Sequence, residues 1–549
     1  MITVTIDNQP VTVPDGSTIL DAARQIGIGI PTLCFLAGVK EDRPSCLACV
    51  VRVNSDSRLV PACSTRVTAG MVVASETPDV KAARRAALEL LFSDHLGDCI
   101  SVCQRACPAH LQIPETIRLV AAGKMDDAIA LIKENIVFPG VLGRICRAPC
   151  EQGCRRRQYD GPVAIQLIER EVADLAGQRY VPVCAPATGK RVAIVGAGAT
   201  GLSAAFFLLK LGHHVVVFDD HAEPGGQMRA AELPDGVLDA DIETIYQMGK
   251  APHPVVLRSN SGTGVSPVYL ECSSSSPPLP TGEADQGGGP RFEFRPNTRL
   301  GRDLTLDELH RQFDAVILAV GSLAQTDYRQ LGVAATERTI RVSPSNFETS
   351  VPGVFAGGTC IRASYDPARS VGDGRLLAEC VAGHLIGRPV QVGIKEFTST
   401  IPKLTTTEYQ QLLHGANSAL TVTELIGTAE TAAGRCCHCD CRAANDCKLR
   451  LAAENYGVNP KAFTGEHRRA FEVIRQPGGV IFEPGKCITC GICVAIATQA
   501  REPLGLTFIG RGFDVKLTVP LAGTLADGLQ KVGAECVRHC PTGALEFES

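Results

Sequence analysis

Most of the 24 cysteines in this 549-residue chain fall into four groups with the spacing of metal ligands. Closely spaced thiolates bind iron–sulfur clusters or zinc. Disulfides are disfavoured, because the chain shows no secretion signal and the intervals between cysteines are ligand intervals. In chain order the groups are Cys34, Cys46, Cys49 and Cys63; then Cys99, Cys103, Cys107, Cys146, Cys150 and Cys154; then Cys436, Cys439, Cys441 and Cys447; and finally Cys487, Cys490, Cys493 and Cys540.

The first group predicts a [2Fe–2S] cluster. It combines a long loop, a CxxC pair and a distant fourth thiol, and its two long intervals are unusual for structural zinc. The surrounding segments 31–34 and 60–65 resemble the N-terminal ferredoxin domain of the complex I G subunit and of iron-only hydrogenases. Alternating residues at 3–6 and 11–13, followed by an amphipathic run with Ser17 or Thr18 as N-cap, predict the hairpin and helix of a β-grasp fold.

The second group lies in a stretch, about 95–175, that resembles the N-terminal domain shared by the glutamate synthase small chain, dihydropyrimidine dehydrogenase and the flavin-bifurcating transhydrogenase. The resemblance rests on Cys107-Pro108, on Gly143-Arg144 before Cys146, and on Pro162-Val163. It implies a helical domain with two interleaved [4Fe–4S] clusters. The implied ligand trios are Cys99, Cys103 and Cys154 for one cluster, and Cys107, Cys146 and Cys150 for the other.

Each of these trios needs a fourth ligand. Glu169 falls where the family places a non-cysteine ligand. The family's upstream CxxC is reduced here to Cys99, and His95 stands four residues before it. His95 is therefore a candidate ligand, although a lone histidine is more often a core or surface residue. A His–Cys ligand set also occurs in the complex I G subunit, at a different spacing, and imidazole ligation would raise the cluster potential.

A dinucleotide fingerprint lies between the cysteine groups. Gly196, Gly198 and Gly201 follow the strand-like run 191–195, and Asp219 ends the next strand-like run. The glycines allow a tight turn and close approach to a pyrophosphate, and the acid can bind ribose hydroxyls.

Two further motifs favour FAD over NAD. The run 223–227 resembles the second phosphate-side loop of two-dinucleotide flavoproteins, and the run 350–358 resembles their C-terminal flavin motif. Thr359 departs from that motif, because the family has an aspartate there, and a hydroxyl forms a weaker hydrogen bond than a carboxylate. The predicted FAD residues are Gly196, Gly198, Gly201, Asp219, Gly225, Gly226, Gln227, Gly357, Gly358 and Thr359.

The family's second nucleotide unit, which binds NAD(P)H, is expected to be missing. Only residues 322–350 separate Gly321 from Val351 of the flavin motif, and no second fingerprint occurs. A nucleotide-binding domain needs roughly 100 residues. The chain thus resembles a glutamate synthase small chain without its NADPH site.

The last two cysteine groups differ in how clearly they indicate the kind of metal site. Cys487, Cys490, Cys493 and Cys540 resemble a bacterial two-cluster ferredoxin that retains one complete [4Fe–4S] set, with Cys536 as a leftover thiol. The group Cys436, Cys439, Cys441 and Cys447 fits either a further cluster or structural zinc. The scattered Cys184, Cys272, Cys360 and Cys380 are expected to be free.

These motifs predict a multidomain α+β and α/β protein. Residues 79–185 should be helical, with runs at 81–92 and 113–134. Ser, Pro and Gly are abundant in 250–291, which predicts a low-complexity insertion. The predicted domains are a β-grasp [2Fe–2S] ferredoxin (1–78), a bis-[4Fe–4S] domain (79–185), a Rossmann-like FAD domain (188–395), a linker (396–430) and a ferredoxin-like module (431–549).

Charge and hydropathy limit the expected partners and the expected cellular location. The net charge is −4 and no basic stripe occurs, so nucleic acid is not an expected partner. No apolar run is long enough to span a membrane and no signal peptide is recognisable, which favours the cytoplasm.

The function predicted from these patterns is an electron-transfer subunit of an oxidoreductase complex, with one [2Fe–2S] cluster, three or four [4Fe–4S] clusters and FAD. No catalytic acid, base or nucleophile stands out, which suits chemistry carried by cofactors. The resemblances suggest a hydrogenase, a formate dehydrogenase, an NADH-oxidising subunit or a glutamate synthase large chain as partner. The alternatives are a self-sufficient flavoenzyme that acts on a small molecule, and a scaffold with a vestigial flavin fold.

Overall fold

The computed structural model describes residues 1–40, 44–54, 58–250, 291–322, 330–362, 364–393, 396–416, 428–463, 468–475 and 479–547. The chain forms two compact units. Unit one contains residues 1–101, 395–415 and 437–549, and unit two contains residues 102–394 and 416–436. Unit two therefore interrupts unit one in sequence, whereas the predicted domains follow one another along the chain.

The strands are β1 Ile2–Ile6, β2 Gln9–Val13, β3 Val50–Val53, β4 Leu59–Pro61, β5 Val72–Ala74, β6 Arg191–Val195, β7 His214–Phe218, β8 Phe292–Arg295, β9 Ala315–Leu318, β10 Val354–Ala356, β11 Ile474–Arg475, β12 Val480–Phe482, β13 Thr507–Ile509, β14 Lys516–Thr518 and β15 Leu545–Phe547.

The helices are α1 Ile19–Gln25, α2 Pro78–Ser93, α3 Val102–Ala106, α4 Ile113–Ala121, α5 Met125–Ile132, α6 Pro139–Ile145, α7 Pro149–Gln152, α8 Ile165–Ala176, α9 Ala199–Lys210, α10 Val237–Lys250, α11 Leu306–Gln312, α12 Pro367–Leu385, α13 Thr406–Leu412, α14 Ala429–Ala433, α15 Lys448–Tyr456, α16 Ile492–Gln499, α17 Leu525–Gly528 and α18 Gly533–His539.

Unit one begins with the predicted β-grasp arrangement. Its sheet has the order β2-β1-β5-β3-β4, in which β1 and β5 are parallel and the other pairs antiparallel. Val4 and Ile6 point into the core, as the alternating pattern predicts. Helix α1 begins with a capping box between Thr18 and Asp21, so Thr18 is the N-cap.

The rest of unit one is a small α/β module. Strands β11, β12 and β15 form an antiparallel sheet, and β13 and β14 form a hairpin. Helices α16 and α18 pack against each other, and α15 packs against α2. The last contact joins the ferredoxin-like end of the chain to its N-terminal part within one unit.

The core of unit two is a parallel five-stranded sheet in the order β10-β9-β6-β7-β8. Strands β6 and β7 are apolar along nearly their whole length, as expected for strands covered on both faces. The strand order reverses between β6 and β9, so a ligand site is expected at the carboxyl ends of these strands. Strand β10 pairs directly with β9, and residues 319–322 and 330–353, which the structure describes between them, contain no strand of a second sheet.

Helices α3 to α8 form the helical part of unit two. The predicted run 113–134 is divided into α4 and α5, because Gly123 between them has a φ of 69°, in the left-handed region. Near its end, the chain of unit two returns as α14, which packs against α4 and α8.

The predicted low-complexity insertion, which includes Cys272, lies outside the described residues apart from its ends at 250 and 291. Among the described helices, none is both long enough and apolar enough to cross a membrane.

Candidate iron–sulfur and flavin sites

The four thiols of the first group lie together in unit one. The Sγ atoms of Cys49 and Cys63 are 3.4 Å apart, and the Ser45 N–H donates to Cys34 Sγ at 3.3 Å. Within each pair one hydrogen bond lowers the pKa of the accepting thiol, Cys34 or Cys49, and raises the pKa of the donating thiol, Cys46 or Cys63. Four buried thiols in such close contact suit a [2Fe–2S] cluster.

In unit two, Glu169 lies beside three thiols of the second group. Burial raises the pKa of Cys107, Cys146 and Cys150, and in each case the nearby Glu169 carboxylate contributes. Glu169 itself is 8% exposed, and its Oε1 has no hydrogen-bond partner among the described residues. Burial, with Asp241 contributing, raises the pKa of Glu169 to about 8.

A buried carboxylate without a partner is costly unless a cation neutralises it. Three thiols and this carboxylate offer four ligands of the kind that a [4Fe–4S] cluster uses in the resembling family. We call Cys107, Cys146, Cys150 and Glu169 the Glu169 group.

Replacing Glu169 with alanine is expected to remove or alter one [4Fe–4S] signal in electron paramagnetic resonance (EPR) spectra of the reduced protein, with a loss of up to about four irons. The [2Fe–2S] signal should not change, because its ligands lie in unit one. Asp174→Ala is the matched control, since Asp174 is on the same helix but pairs with Arg144 at the surface. An unchanged spectrum and iron content in Glu169→Ala would remove Glu169 from the ligands.

The four thiols of the fourth cysteine group line one pocket in unit one, together with apolar side chains. Thr489 (φ 51°) and Gly491 (φ 75°) adopt left-handed conformations, which turn the CxxCxxC segment tightly. The thiol of Cys536, buried nearby, donates to the Cys493 carbonyl at 3.8 Å. Four thiols around one cavity fit a [4Fe–4S] cluster, with Cys536 outside the set.

Unit one also contains a group of candidate ligands whose grouping the sequence does not reveal. Residues 98–99 run beside residues 440–441, where the Cys441 N–H donates to the Asp98 carbonyl at 2.8 Å. Cys99, Cys441 and Cys447 consequently share one apolar core. Burial raises the pKa of Cys441 to about 11 and that of Cys447 to about 12, and the Cys99 thiol contributes to both.

His95 shares a neighbour, Lys486, with the Cys441 thiol. Its ring packs edge-on against Phe92 with 5.3 Å between ring centroids. His95 is 9% exposed, and its Nδ1 has no hydrogen-bond partner among the described residues. Burial, with Lys486 contributing, lowers the pKa of His95 to about 3, so the ring is neutral and can ligate a metal. We call His95, Cys99, Cys441 and Cys447 the His95 tetrad.

The structure divides two of the predicted groups between the units. Cys99 belongs to unit one, whereas its predicted partners Cys103 and Cys154 belong to unit two. Of the third group, Cys436 belongs to unit two and the other three thiols to unit one. The grouping of Cys99, Cys103 and Cys154 follows from the family resemblance, and that of Cys436, Cys439, Cys441 and Cys447 from their spacing in the sequence. The four thiols of the third group, considered as a cluster or a zinc site, therefore do not lie in one unit.

The fingerprint glycines of unit two have two different roles. A Cβ atom at Gly201 would lie 1.9 Å from the Gly196 carbonyl oxygen, and one at Gly196 would lie 2.2 Å from the Ala319 carbonyl oxygen. A Cβ atom at Gly198 would meet no atom within 4 Å. Gly196 and Gly201 are thus required for backbone packing, whereas Gly198 faces the open space in which a pyrophosphate would approach.

The other predicted flavin residues surround this loop. Asp219 Oδ2 accepts a hydrogen bond from the Ala197 N–H at 2.5 Å. The Gly225 N–H donates to the Ala197 carbonyl at 2.8 Å, which places the segment 225–227 against the fingerprint. A Cβ atom at Gly226 would lie 2.9 Å from Gly198 Cα.

The C-terminal flavin motif closes the same region. Gly357, Gly358 and Thr359 follow β10, and Thr359 is half-buried in a short 3-10 turn. A Cβ atom at Gly358 would lie 2.4 Å from Thr200 Oγ1, so only glycine allows this close approach to helix α9. All three predicted flavin motifs therefore meet at the carboxyl edge of the sheet, where FAD would bind.

Gly372 in α12 is a site residue that the sequence analysis missed. A Cβ atom there would lie 2.5 Å from the carbonyl oxygen of Pro108, which directly follows the candidate ligand Cys107. At the start of the same helix, Asp366 lies close enough to raise the pKa of Cys146 further, after burial and other neighbours. Helix α12 of the flavin fold thus packs against the Glu169 group. The available sequence signal was the pair of small residues, Gly372 and Gly374, within a helix.

Three protein-family models match the chain. Residues 1–78 match a 2Fe-2S iron–sulfur cluster binding domain, residues 96–181 match dihydropyrimidine dehydrogenase domain II, 4Fe-4S cluster, and residues 194–256 match an NAD(P)-binding Rossmann-like domain. These matches confirm the predicted fold class, in which iron–sulfur domains are joined to a Rossmann-like domain.

Several curated proteins are similar to parts of the chain. The NADP(+)-dependent formate dehydrogenase subunit beta of Moorella thermoacetica is 31% identical over 43% of this chain and 31% of its own length. The glutamate synthase [NADPH] small chain of Bacillus subtilis is 30% identical over 42% of this chain and 40% of its own length. The NADP-reducing hydrogenase subunit HndD of Solidesulfovibrio fructosivorans is 47% identical over 20% of each chain.

These relatives confirm the predicted resemblance and the predicted oxidoreductase character. The chain spans 31% and 40% of the length of the first two of these relatives. Among solved structures, an NAD+-reducing [NiFe]-hydrogenase in the H2-reduced state aligns with a TM-score of 0.16 and 32% identity, over 17% of this chain and 39% of that chain.

Proposed function

We propose that the chain is an iron–sulfur flavoprotein subunit that relays electrons between its clusters and FAD within an oxidoreductase complex. The observation that carries this proposal is that three ligand groups of unit one border one apolar core. Members of the [2Fe–2S] group, the His95 tetrad and the C-terminal group all pack in it.

The neighbours of these groups support the same conclusion. The Cys34 thiol lies close enough to Cys490 to contribute to its raised pKa, after burial and nearer thiols. Lys486 lies beside Cys441 and directly precedes the ligand Cys487. The C-terminal group therefore has neighbours in common with each of the other two groups, which suits electron transfer through unit one.

Unit two would connect a cluster to the flavin. Helix α12 contacts both the fingerprint helix and the Cys107–Pro108 turn, through Gly374 and Gly372. The close packing fixes the distance between the Glu169 group and the carboxyl edge of the sheet. Cys107 and Cys150 are buried, which limits the access of water to the Glu169 group.

The proposed cofactors are one [2Fe–2S] cluster at the first group, [4Fe–4S] clusters at the Glu169 group, the His95 tetrad and the C-terminal group, and FAD at the glycine loops. When bound, such clusters accept and release single electrons, and FAD exchanges one or two. The protein supplies ligands, an apolar surrounding and fixed positions. We identify no catalytic acid or base among the predicted site residues.

The complex in which the chain works is also part of the proposal. The relatives include subunits of formate dehydrogenase, hydrogenase and glutamate synthase. A partner of one of these kinds, or an NADH-oxidising subunit, would carry the terminal chemistry, in the cytoplasm.

The chain, purified anaerobically, is expected to contain FAD and about 14 irons, or about 18 if a further [4Fe–4S] cluster is present. NADH or NADPH alone should not bleach the flavin absorbance, because hydride transfer requires the nicotinamide to be held against the flavin. Bleaching that starts only after a partner subunit is added would support the relay.

Iron and flavin analysis with EPR tests the predicted cofactor content. Anaerobic titration with NADH or NADPH, followed by flavin absorbance, tests the predicted lack of bleaching. Rapid, stoichiometric bleaching by NADPH alone would contradict the expected lack of a nucleotide site. Iron limited to two to six atoms would contradict the cluster assignments.

A further inference from the structure

Two candidate ligands of unit two, Cys103 and Cys154, have not yet been assigned to a set of four cluster ligands. The family resemblance groups Cys103 and Cys154 with Cys99, and the structure assigns Cys99 to unit one and the other two thiols to unit two. The Glu169 group already has four ligands. The question is which side chain of unit two joins Cys103 and Cys154.

The two thiols flank one contact. Gly153 precedes Cys154, and a Cβ atom at Gly153 would lie 3.1 Å from Ala106 Cβ and 3.3 Å from Val102 Cγ1. Val102 and Ala106 are the ends of α3, the short helix that carries Cys103. The turn at Cys154 thus packs directly on the helix of Cys103, and α3 also packs against α7.

The last segment of unit two is fixed against the same turn. Helix α14 is buried at Ala429, Ala432 and Ala433, and the Ala429 N–H donates to Glu171 Oε2 at 2.5 Å. Beyond the helix, the Cys436 N–H donates to the Ala433 carbonyl at 2.9 Å. The backbone of Cys436 is therefore held by the end of the helix.

Two buried arginines connect this segment to the residues after Cys154. The Arg156 guanidinium donates to the Arg435 carbonyl, and also forms a bidentate pair with Asp160 at 2.6 Å. The Arg435 guanidinium donates in return to the Asp160 carbonyl at 3.2 Å and to the Gly161 carbonyl at 3.5 Å. Arg156 is 2% exposed and Arg435 3% exposed.

This reciprocal pairing brings residue 436 next to the turn that follows Cys154. Cys436 and Cys154 also pack against the apolar core that contains Cys103. The two guanidiniums carry one more positive charge than Asp160 neutralises, which favours a negatively charged group beside them.

We propose that Cys436 joins Cys103 and Cys154 as the third thiolate of a further [4Fe–4S] cluster in unit two. The cysteine reached by the returning segment takes the place that a family member fills with an upstream cysteine. This inference rests on the proposed function, because it adds a fourth [4Fe–4S] cluster to the relay. It separates Cys436 from Cys441 and Cys447, its neighbours in sequence.

The test compares Cys436→Ala with its neighbour Cys437→Ala in the full chain, purified anaerobically. Cys437 packs beside Cys439 against an apolar cluster of unit one, so its replacement should leave the iron content unchanged. Cys436→Ala should lose about four irons and one [4Fe–4S] contribution in Mössbauer and EPR spectra. Cys154→Ala should lose the same contribution, and the double variant Cys154→Ala/Cys436→Ala should lose no more than either.

Flavin content and the circular dichroism spectrum serve as folding controls for unit two. Losses that add up in the double variant, or full iron in Cys436→Ala, would overturn this assignment while leaving the relay intact. Wild-type protein without any [4Fe–4S] signal would overturn the proposed function itself.

Discussion

Cys99→Ala and Cys441→Ala are each expected to remove about four irons and one [4Fe–4S] signal, and the double variant is expected to remove the same four, not eight. The reason is that Cys99 and Cys441 lie in one core, on two chain segments paired by the hydrogen bond from Cys441 to Asp98. If they bind one cluster, losing either ligand removes it, and the second replacement has nothing further to remove.

The same experiment distinguishes two assignments of Cys99 and Cys441: to one shared cluster, as in the structure, or to two different clusters, as in the sequence prediction. If Cys99 served a cluster with Cys103, and Cys441 one with Cys436, the two losses would be independent and would add. Iron and sulfide analysis with EPR on the three variants gives the answer. Cys380→Ala is a suitable control, since Cys380 is buried in helix α12 of unit two and belongs to none of the ligand sets. Additive losses would contradict the His95 tetrad.

Gly201→Ala is expected to destabilise unit two by about 3 kcal/mol and to abolish FAD binding, whereas Gly198→Ala should abolish most FAD binding and leave the fold intact. The methyl group at residue 201 would lie 1.9 Å from the Gly196 carbonyl oxygen, which is part of the backbone and cannot move aside cheaply. The methyl group at residue 198 would meet no protein atom within 4 Å, but it would occupy the space for the pyrophosphate.

Thermal unfolding and flavin content of the two variants test this difference. The expected pattern is a lowered melting temperature for Gly201→Ala alone and flavin loss for both. Retained FAD in Gly198→Ala would show that the dinucleotide does not lie against this loop. An unchanged melting temperature in Gly201→Ala would contradict the packing of the fingerprint turn.

The elements that sequence predicted well are those determined by local patterns. Alternating residues identified β1 and β2, and the glycine spacing identified the strand–turn–helix at 191–210. The four thiols of the first group are brought together because the loop and the strands that carry them belong to one small domain. In each case the residues that specify the feature are close in sequence or follow a repeat.

The His95 tetrad could not be predicted in this way. His95 and Cys99 lie at one end of the inserted chain, and Cys441 and Cys447 lie beyond the other end, so no spacing links them. The same applies to Gly372, whose role depends on its contact with Pro108 and not on a motif. A helical pattern also failed to reveal the break at Gly123, because a single glycine inside an apolar run is compatible with one long helix.

The way in which unit two begins and ends has a consequence for how the protein is made. Its first helix, α3, contacts Gly153, and its last residues contact Arg156, so both ends of the inserted chain lie at the same turn. Closing a flexible loop of several hundred residues would cost roughly 5 kcal/mol in chain entropy. Once unit two has folded, its two ends lie next to each other. The segments of unit one that precede and follow it can then meet without most of that entropy cost.

The order of synthesis follows from the same arrangement. His95 and Cys99 leave the ribosome before the whole of unit two, and Cys441 and Cys447 leave after it. Iron delivered early would therefore find only half of the tetrad, so this centre must be filled after the insert has been synthesised. Synthesis of the flavin-binding unit would thereby precede the loading of iron into the His95 tetrad.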